Sequence, residues 1–343
     1  MKKLTVLYLA CLFVTEKLSG QDIHFSQYFV APQLISPSSF GVLNSFEAGL
    51  QYKGQWNSFT NGYTSFAAVT NKSFKKQENV NSSKAYVSAG LNLILDKAGD
   101  NQLTHFKAEI PVNITKRVSS RGFLSAGLYA GFGQLAVKND DLTWGSQFDG
   151  YEYNAALGSN ETSVLQSKNY LDCGVGLSFV TLQKEKETIS LKNNMGISVS
   201  HLNRPDYSLY GMPDQRLNMR INFYEYYHLY LRNSSLSVIP SVLFQYQANA
   251  YELVLGASVR KAFKESADTR QSLSLGLFYR LQDMCALTCM AELGKYSIGL
   301  NYDFNISKLM TTSRSFGGLE ISVKMNNPFR YALASSKVMG KQF

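Results

Sequence analysis

One property of this chain constrains its fold more than any other: apolar and polar side chains alternate with a period of two along most of its length. Between Lys295 and Asn305 one set of positions reads Tyr296, Ile298, Leu300, Tyr302 and Phe304, and the other Ser297, Gly299, Asn301 and Asp303. Successive side chains of a β-strand point to opposite faces, so such a segment has one face for an apolar surrounding and one for a polar one. The split recurs in Leu171, Cys173, Val175, Leu177 and Phe179 against Asp172, Gly174, Gly176 and Ser178, and in Leu319, Ile321, Val323 and Met325 against Gly318, Glu320, Ser322 and Lys324. Between Thr104 and Thr115 it sets Phe106, Ala108, Ile110, Val112 and Ile114 against His105, Lys107, Glu109 and Asn113.

A soluble sandwich alternates too, so the apolar solvent has to be chosen on other grounds. Residues 1–20 read as a secretory signal: Lys2 and Lys3, an apolar run from Leu4 to Val14, and a small-residue exit at Ser19 and Gly20. The polar face is small and glycine-rich. The apolar face carries almost no charge, as it must where a Lys or Arg at mid-bilayer costs about 2–4 kcal/mol. Hydrophobic residues make up 45% and charged residues 17%, with 21 Tyr and 21 Phe, the mixture an outer-membrane barrel uses for its lipid face, lumen and aromatic girdles. Beyond Val14 no stretch reaches the roughly 18–20 apolar residues of a spanning helix.

The expected fold is therefore all-β: a transmembrane antiparallel β-barrel of about 14 strands, an even number as in bacterial single-chain barrels, preceded by an irregular N-terminal segment. The expected strands are 45–53, 62–74, 84–95, 103–117, 121–137, 169–181, 192–202, 216–231, 235–248, 251–262, 271–281, 284–293, 295–305 and 316–325. The chain divides into a signal peptide (1–20), an N-terminal plug or strap (21–44), the barrel (45–325) and a basic tail (326–343). Outer-membrane lipid is its surrounding and the cell outer membrane its location. With both barrel ends in the periplasm, the long connections 138–168 and 203–215 face outward, and the N-terminal segment begins at the inner mouth.

Other chemistries find little support. The formal charge of +9 is scattered, without the basic stripe of a nucleic-acid binder. Cys173, Cys285 and Cys289 lack zinc spacing, and Cys285 and Cys289 are too far apart along one strand for a disulfide. They read as small lipid-facing residues. Asp22 with His24 is a two-ligand start without a third ligand nearby, so no metal and no cofactor is expected. Ser200 and His201 would point to opposite faces of a strand, which removes the obvious hydrolase pair. His201 with a serine of another strand, as in a lipid-modifying enzyme, stays open as a third reading, and no catalytic residue is expected. Inward charges of both signs, such as Lys107, Glu109, Arg220, Glu252, Arg260, Arg280, Asp303 and Glu320, would pair across the lumen and fill it. A porin or transporter remains the alternative.

Six motifs in order then resemble one family. QDIHFSQY with Pro32 and Pro37 (Asp22, His24, Phe25, Ser26, Gln27 and Tyr28 included) is similar to the opening of the PorP/SprF proteins of the type IX secretion system. LQYKGQWNSF, containing Trp56, and GISVSHLNRPDYSL, containing His201, Arg204 and Pro205, resemble its next two motifs. IPSVLFQYQ, LGLFYR ending at Arg280, and SIGLNYDFNISKL follow. The sequence departs from the family at Ile23, Ala31, Ser36 and residues 316–321. The resemblance implies a non-enzymatic outer-membrane barrel that links the secretion machinery or anchors a secreted cell-surface adhesin through its C-terminal domain, as core component or cargo-specific paralogue. The motif residues are the expected plug or partner contacts. Trp144, Phe148, Tyr151 and Tyr153 in the longest loop read either as outer-loop anchors or as self-packed aromatics.

Overall fold

The computed structural model describes residues 22–55, 62–75, 84–99, 103–137, 145–154, 156–158, 167–182, 189–209, 215–231, 234–265, 270–307 and 315–329. The expected signal, Gln21, Trp56, Trp144 and the tail beyond residue 329 lie outside the described residues.

Fourteen antiparallel strands close into one barrel, each paired with its neighbours in sequence and the last with the first. They are β1 (Asn44–Gln55), β2 (Tyr63–Ser73), β3 (Tyr86–Ala98), β4 (Leu103–Arg117), β5 (Gly122–Ala136), β6 (Ser167–Thr181) and β7 (Ile189–Ser200), then β8 (Arg220–Leu231), β9 (Leu236–Gln247), β10 (Ala250–Glu265), β11 (Arg270–Arg280), β12 (Met284–Leu293), β13 (Tyr296–Asn305) and β14 (Phe316–Pro328). Closure runs from Asn44↔Pro328 to Gln55↔Gly318. We call the end where β1 begins and β14 finishes the near mouth, and the opposite end the far mouth.

The alternation becomes a division between outside and lumen. Leu171, Leu275 and Ile110 are exposed on the outer surface, whereas Asp172, Ser178, Asn301, Glu320 and Ser322 are buried. Cys285 and Cys289 share the outward parity of Leu287 on β12, and both are free thiols. Pro111 and Pro240 have no N–H to give and yet lie inside strands. At each, pairing with one neighbour lapses: β3–β4 partners pass from Ala89↔Val112 to Asn92↔Glu109, and β8–β9 partners from Tyr226↔Ser241 to Leu229↔Val238.

Most strand ends differ from the expected ones by up to four residues, among them β3, which ends at Ala98 rather than residue 95, and β7, which begins at Ile189 rather than residue 192. Three others show how the rim is built. β14 continues past Met325, because Asn326, Asn327 and Pro328 pair with Glu47, Phe46 and Asn44 of β1; a polar run at the barrel rim breaks the alternation without breaking the ladder. Phe329 then packs into a buried cluster with Val42, Phe123 and Val180. β8 begins at Arg220 rather than residue 216, since Leu217 donates its N–H back to the Pro205 carbonyl (2.9 Å) and Arg216 bridges to Asp206. β10 runs on to Glu265.

The lumen is occupied by residues 22–43. The segment enters at the far mouth, where Asp22 meets Lys107, His201 and Arg220, and leaves at the near mouth, where the Gly41 carbonyl accepts from the Tyr86 hydroxyl. The expectation that it begins at the mouth where β1 starts is thus corrected: it crosses the barrel before β1 turns back. A 22-residue segment can extend over about 3.3 Å per residue, enough to traverse the lumen, and the cations that suit Asp22 stand at the far end. Pro32 opens its one short 3-10 turn (Pro32–Leu34), where the absent N–H costs nothing.

Candidate functional site

The sequence motifs meet inside the barrel, where the lumen segment is bonded to the wall. At the far mouth His201 Nε2 lies 2.5 Å from Asp22 Oδ2 and Nδ1 lies 2.8 Å from Asp172 Oδ2. Lys107 Nζ reaches Asp22 Oδ1 at 3.1 Å, Arg220 reaches Oδ2 at 3.5 Å, and the Tyr129 hydroxyl donates to Asp172 at 3.0 Å. Burial pushes the Asp22 carboxyl up, but Lys107, His201 and Arg220 together hold it well below its ordinary 3.8. Burial pushes His201 down, but the Asp22 and Asp172 carboxylates raise it above 6.5. The pair is ionised: an imidazolium donating from both nitrogens to two carboxylates.

His201 reaches this position through its backbone. A residue after the inward Ser200 should face outward, yet Ser200 and His201 are both buried. The ladder ends at Ser200, and His201 adopts a left-handed φ of 58°, uncommon for a non-glycine residue. The parity argument for this pair fails because it holds only within a strand. A Ser-His reading gains nothing from the correction, since both ring nitrogens are bonded to carboxylates.

Deeper in, Lys53 Nζ sits 2.9 Å from Glu320 Oε1 and 3.2 Å from Asp303 Oδ2, with all three side chains almost fully buried. Glu320 accepts the backbone N–H groups of Ser26 (2.6 Å) and Gln27 (2.9 Å), and Ser26 Oγ donates to Asp303 (2.9 Å). Gln27 closes the contact: its Oε1 accepts from Ser322, and its carbonyl accepts from Gln51 (3.0 Å). Beside this, Arg280 donates to His24 Nε2 (2.6 Å) and pairs with Glu252 and Asp283. Burial, with Arg280 and Lys53 nearby, drives His24 well below its ordinary value, so it is a neutral acceptor. Asp22 and His24 face different partners and do not converge as a ligand pair.

Phe25 and Tyr28 are buried. Tyr28 packs edge-on to Phe278, in a cluster with Ile35, Leu243 and Val254. Beyond it the segment is held by neutral groups. Gln33 bonds Asn92 and Asn71, and the carbonyls of Ile35, Ser38 and Phe40 accept from Ser198, Ser178 and Asn113. Pro37 lies against two wall glycines: a Cβ on Gly127 would come within 2.4 Å of its carbonyl oxygen, and one on Gly176 within 3.1 Å of its ring. The wall carries no side chain at these two positions, where Pro37 touches it.

The remaining expected residues lie apart. Pro205 is buried and accepts from Leu217, whereas Arg204 is an exposed turn residue with φ 43°. Phe148 and Tyr153 bridge to each other, and Phe148, Tyr151 and Tyr153 are exposed, Tyr151 at 97%. Sequence reasoning missed Lys53, Asp172 and Tyr129. Lys53 was available: it shares inward parity with Glu47 and Gln51 on β1.

Among solved structures the chain is similar to CdiB from Acinetobacter baumannii (6% identity, TM-score 0.39, covering 82% of this chain and 60% of that one). It is also similar to the Ralstonia pickettii toluene transporter TbuX (9%, 0.47, 88% and 94%) and to the translocator domain of the autotransporter NalP from Neisseria meningitidis (12%, 0.34, 84% and 89%). The chain thus spans less than two thirds of CdiB. No curated protein matches it. The family model for "Type IX secretion system membrane protein PorP/SprF" matches residues 17–325, a span that includes the lumen segment and its receiving wall. This outer-membrane barrel belongs to the PorP/SprF family of type IX secretion system membrane proteins.

Proposed function

We propose that this barrel is a non-catalytic contact protein of the secretion system, linking its machinery or holding the C-terminal domain of a secreted adhesin at the cell surface. The observation that carries the reading, beside the family, is the lumen segment bonded to strands all round the wall. A barrel filled in this way favours work at its mouths over conduction. The far mouth faces outward in this reading and presents Phe148, Tyr151 and Tyr153, large aromatic side chains of the type that supply interface hot spots. The cargo-specific paralogue is the version we favour, given the departures at Ile23 and residues 316–321.

Crosslinking in intact cells followed by affinity purification tests it. Recovery of a secretion component or of an adhesin's C-terminal domain is expected; recovery of neither, with surface proteins unchanged on deletion of the gene, would sink the proposal. Planar-bilayer recordings address the porin alternative: the intact protein is expected to stay closed, and deletion of residues 22–36 to produce openings. Large stable openings of the intact protein would favour transport instead.

A further inference from the structure

Toward the near mouth the lumen segment leaves a cavity of about 270 Å³ between itself and the wall of β6–β12, with residues of β1 and β14 completing the lining. Phe29, Phe40, Phe278 and Met290 supply apolar surface. Charges of both signs also line it, but they are unequally matched. Glu47 is paired with Lys324 at 2.9 Å and takes further hydrogen bonds from Asn44 and Asn71. Glu292 is paired with Arg260 at 2.9 Å and accepts from Ser272. Both carboxylates are therefore neutralised by cations of their own. Lys192, half-buried on β7, also lines the cavity and has no hydrogen-bond or ion-pair partner among the described residues. The cavity holds one cation more than its carboxylates balance.

A withdrawn ammonium without a counter-ion is costly, and an occupant carrying negative charge relieves that cost. The size lies just under the roughly 300 Å³ at which small-molecule pockets begin, and mostly apolar walls with a few placed polar groups are their usual make-up. We propose that this cavity binds a small amphiphilic anion, a carboxylate on a short apolar chain, with Lys192 as its counter-ion. The chain lies against Phe29, Phe40, Phe278 and Met290, and the head faces Lys192. This site is separate from the far-mouth contacts and does not depend on the partner assigned above.

The test is calorimetric titration of the full-length protein in zwitterionic-lipid nanodiscs with octanoate, octylamine and acetate. Octanoate is expected to saturate a single site that empty discs lack, octylamine to give no such site, and acetate not to displace octanoate. Lys192→Gln is expected to weaken octanoate at least tenfold and Lys192→Arg to restore most of the affinity, while Ser274→Phe, placed on the cavity wall, removes binding. Far-UV circular dichroism and heat-modified gel mobility verify that each variant is folded. Equal titration by octanoate and octylamine, displacement by acetate, or unchanged affinity in both Lys192→Gln and Ser274→Phe would overturn the assignment. The comparison of probes on the unmodified protein needs no variant.

Discussion

The two halves of the lumen segment are held by different physics. Residues 22–27 engage Lys107, Arg220, His201, Arg280, Glu320 and Asp303, nearly all through charge-assisted hydrogen bonds or ion pairs. Residues 33–41 use amides, hydroxyls and backbone carbonyls, with close glycine contacts and no ion pair among the described residues. Charge-assisted bonds are shorter and stronger than neutral ones, but losing one partner leaves a buried charge. The first half is therefore the one that pH, or the loss of a single charged partner, can release. The second half depends on shape.

The largest effect expected from breaking this contrast is at Lys53. Lys53→Met leaves Asp303 and Glu320 facing each other without their cation, and removing one partner of a buried pair costs about 3–5 kcal/mol. The midpoint of heat-modified gel mobility should fall sharply, and an unchanged midpoint would refute the central role of this pair. Next comes the shape-held half. Gly127→Val drives side-chain atoms into the Pro37 carbonyl, and overpacking of this kind costs about 1–3 kcal/mol. Limited proteolysis should then cut near residues 33–41 while residues 22–27 stay protected.

A smaller effect separates the halves without mutation. Asp22 is depressed below 3.8, so its contribution is full above that value and is lost as pH falls through its folded value. His201 is raised above 6.5, so its contribution is full below that value and is lost as pH rises through its folded value. Both contributions are full only between the two ordinary values, about pH 4 to 6.5, and the clamp weakens as pH falls through the Asp22 value or rises through the raised His201 value. Hydrogen exchange of residues 22–27 should quicken on either side of that window, and that of residues 33–41 should not; parallel changes in both halves would show that the two are not independent. Smallest in stability is Tyr151→Ala, an exposed change expected within about 0.5 kcal/mol. A loss of partner capture in that variant, with the melting midpoint unmoved, would place the contact at the far mouth.

Much of this was legible in the chain. Strand number, inward and outward sets, and approximate boundaries followed from period two, because a strand's side chains have no third direction to take. The errors fall where that rule stops. His201 left its strand in a left-handed turn and joined Ser200 on the inside. Asn326–Pro328 looked like the end of the alternation and proved to be a paired rim, since β1 still had backbone groups to offer there. The opening motif was marked as special by its prolines and aromatics, but its direction through the barrel was not.

By itself, then, the sequence determined that this chain makes a membrane sheet with one apolar and one polar face, since local alternation dictates facing wherever the backbone is extended. Only the tertiary structure decided that Asp22 meets His201 and Lys107, that Glu320 receives the backbone of Ser26 and Gln27, and that Lys192 is left over. Those partners are separated by 85 to 294 residues along the chain where they bond, and closure of the barrel, which no local pattern encodes, is what brings them together.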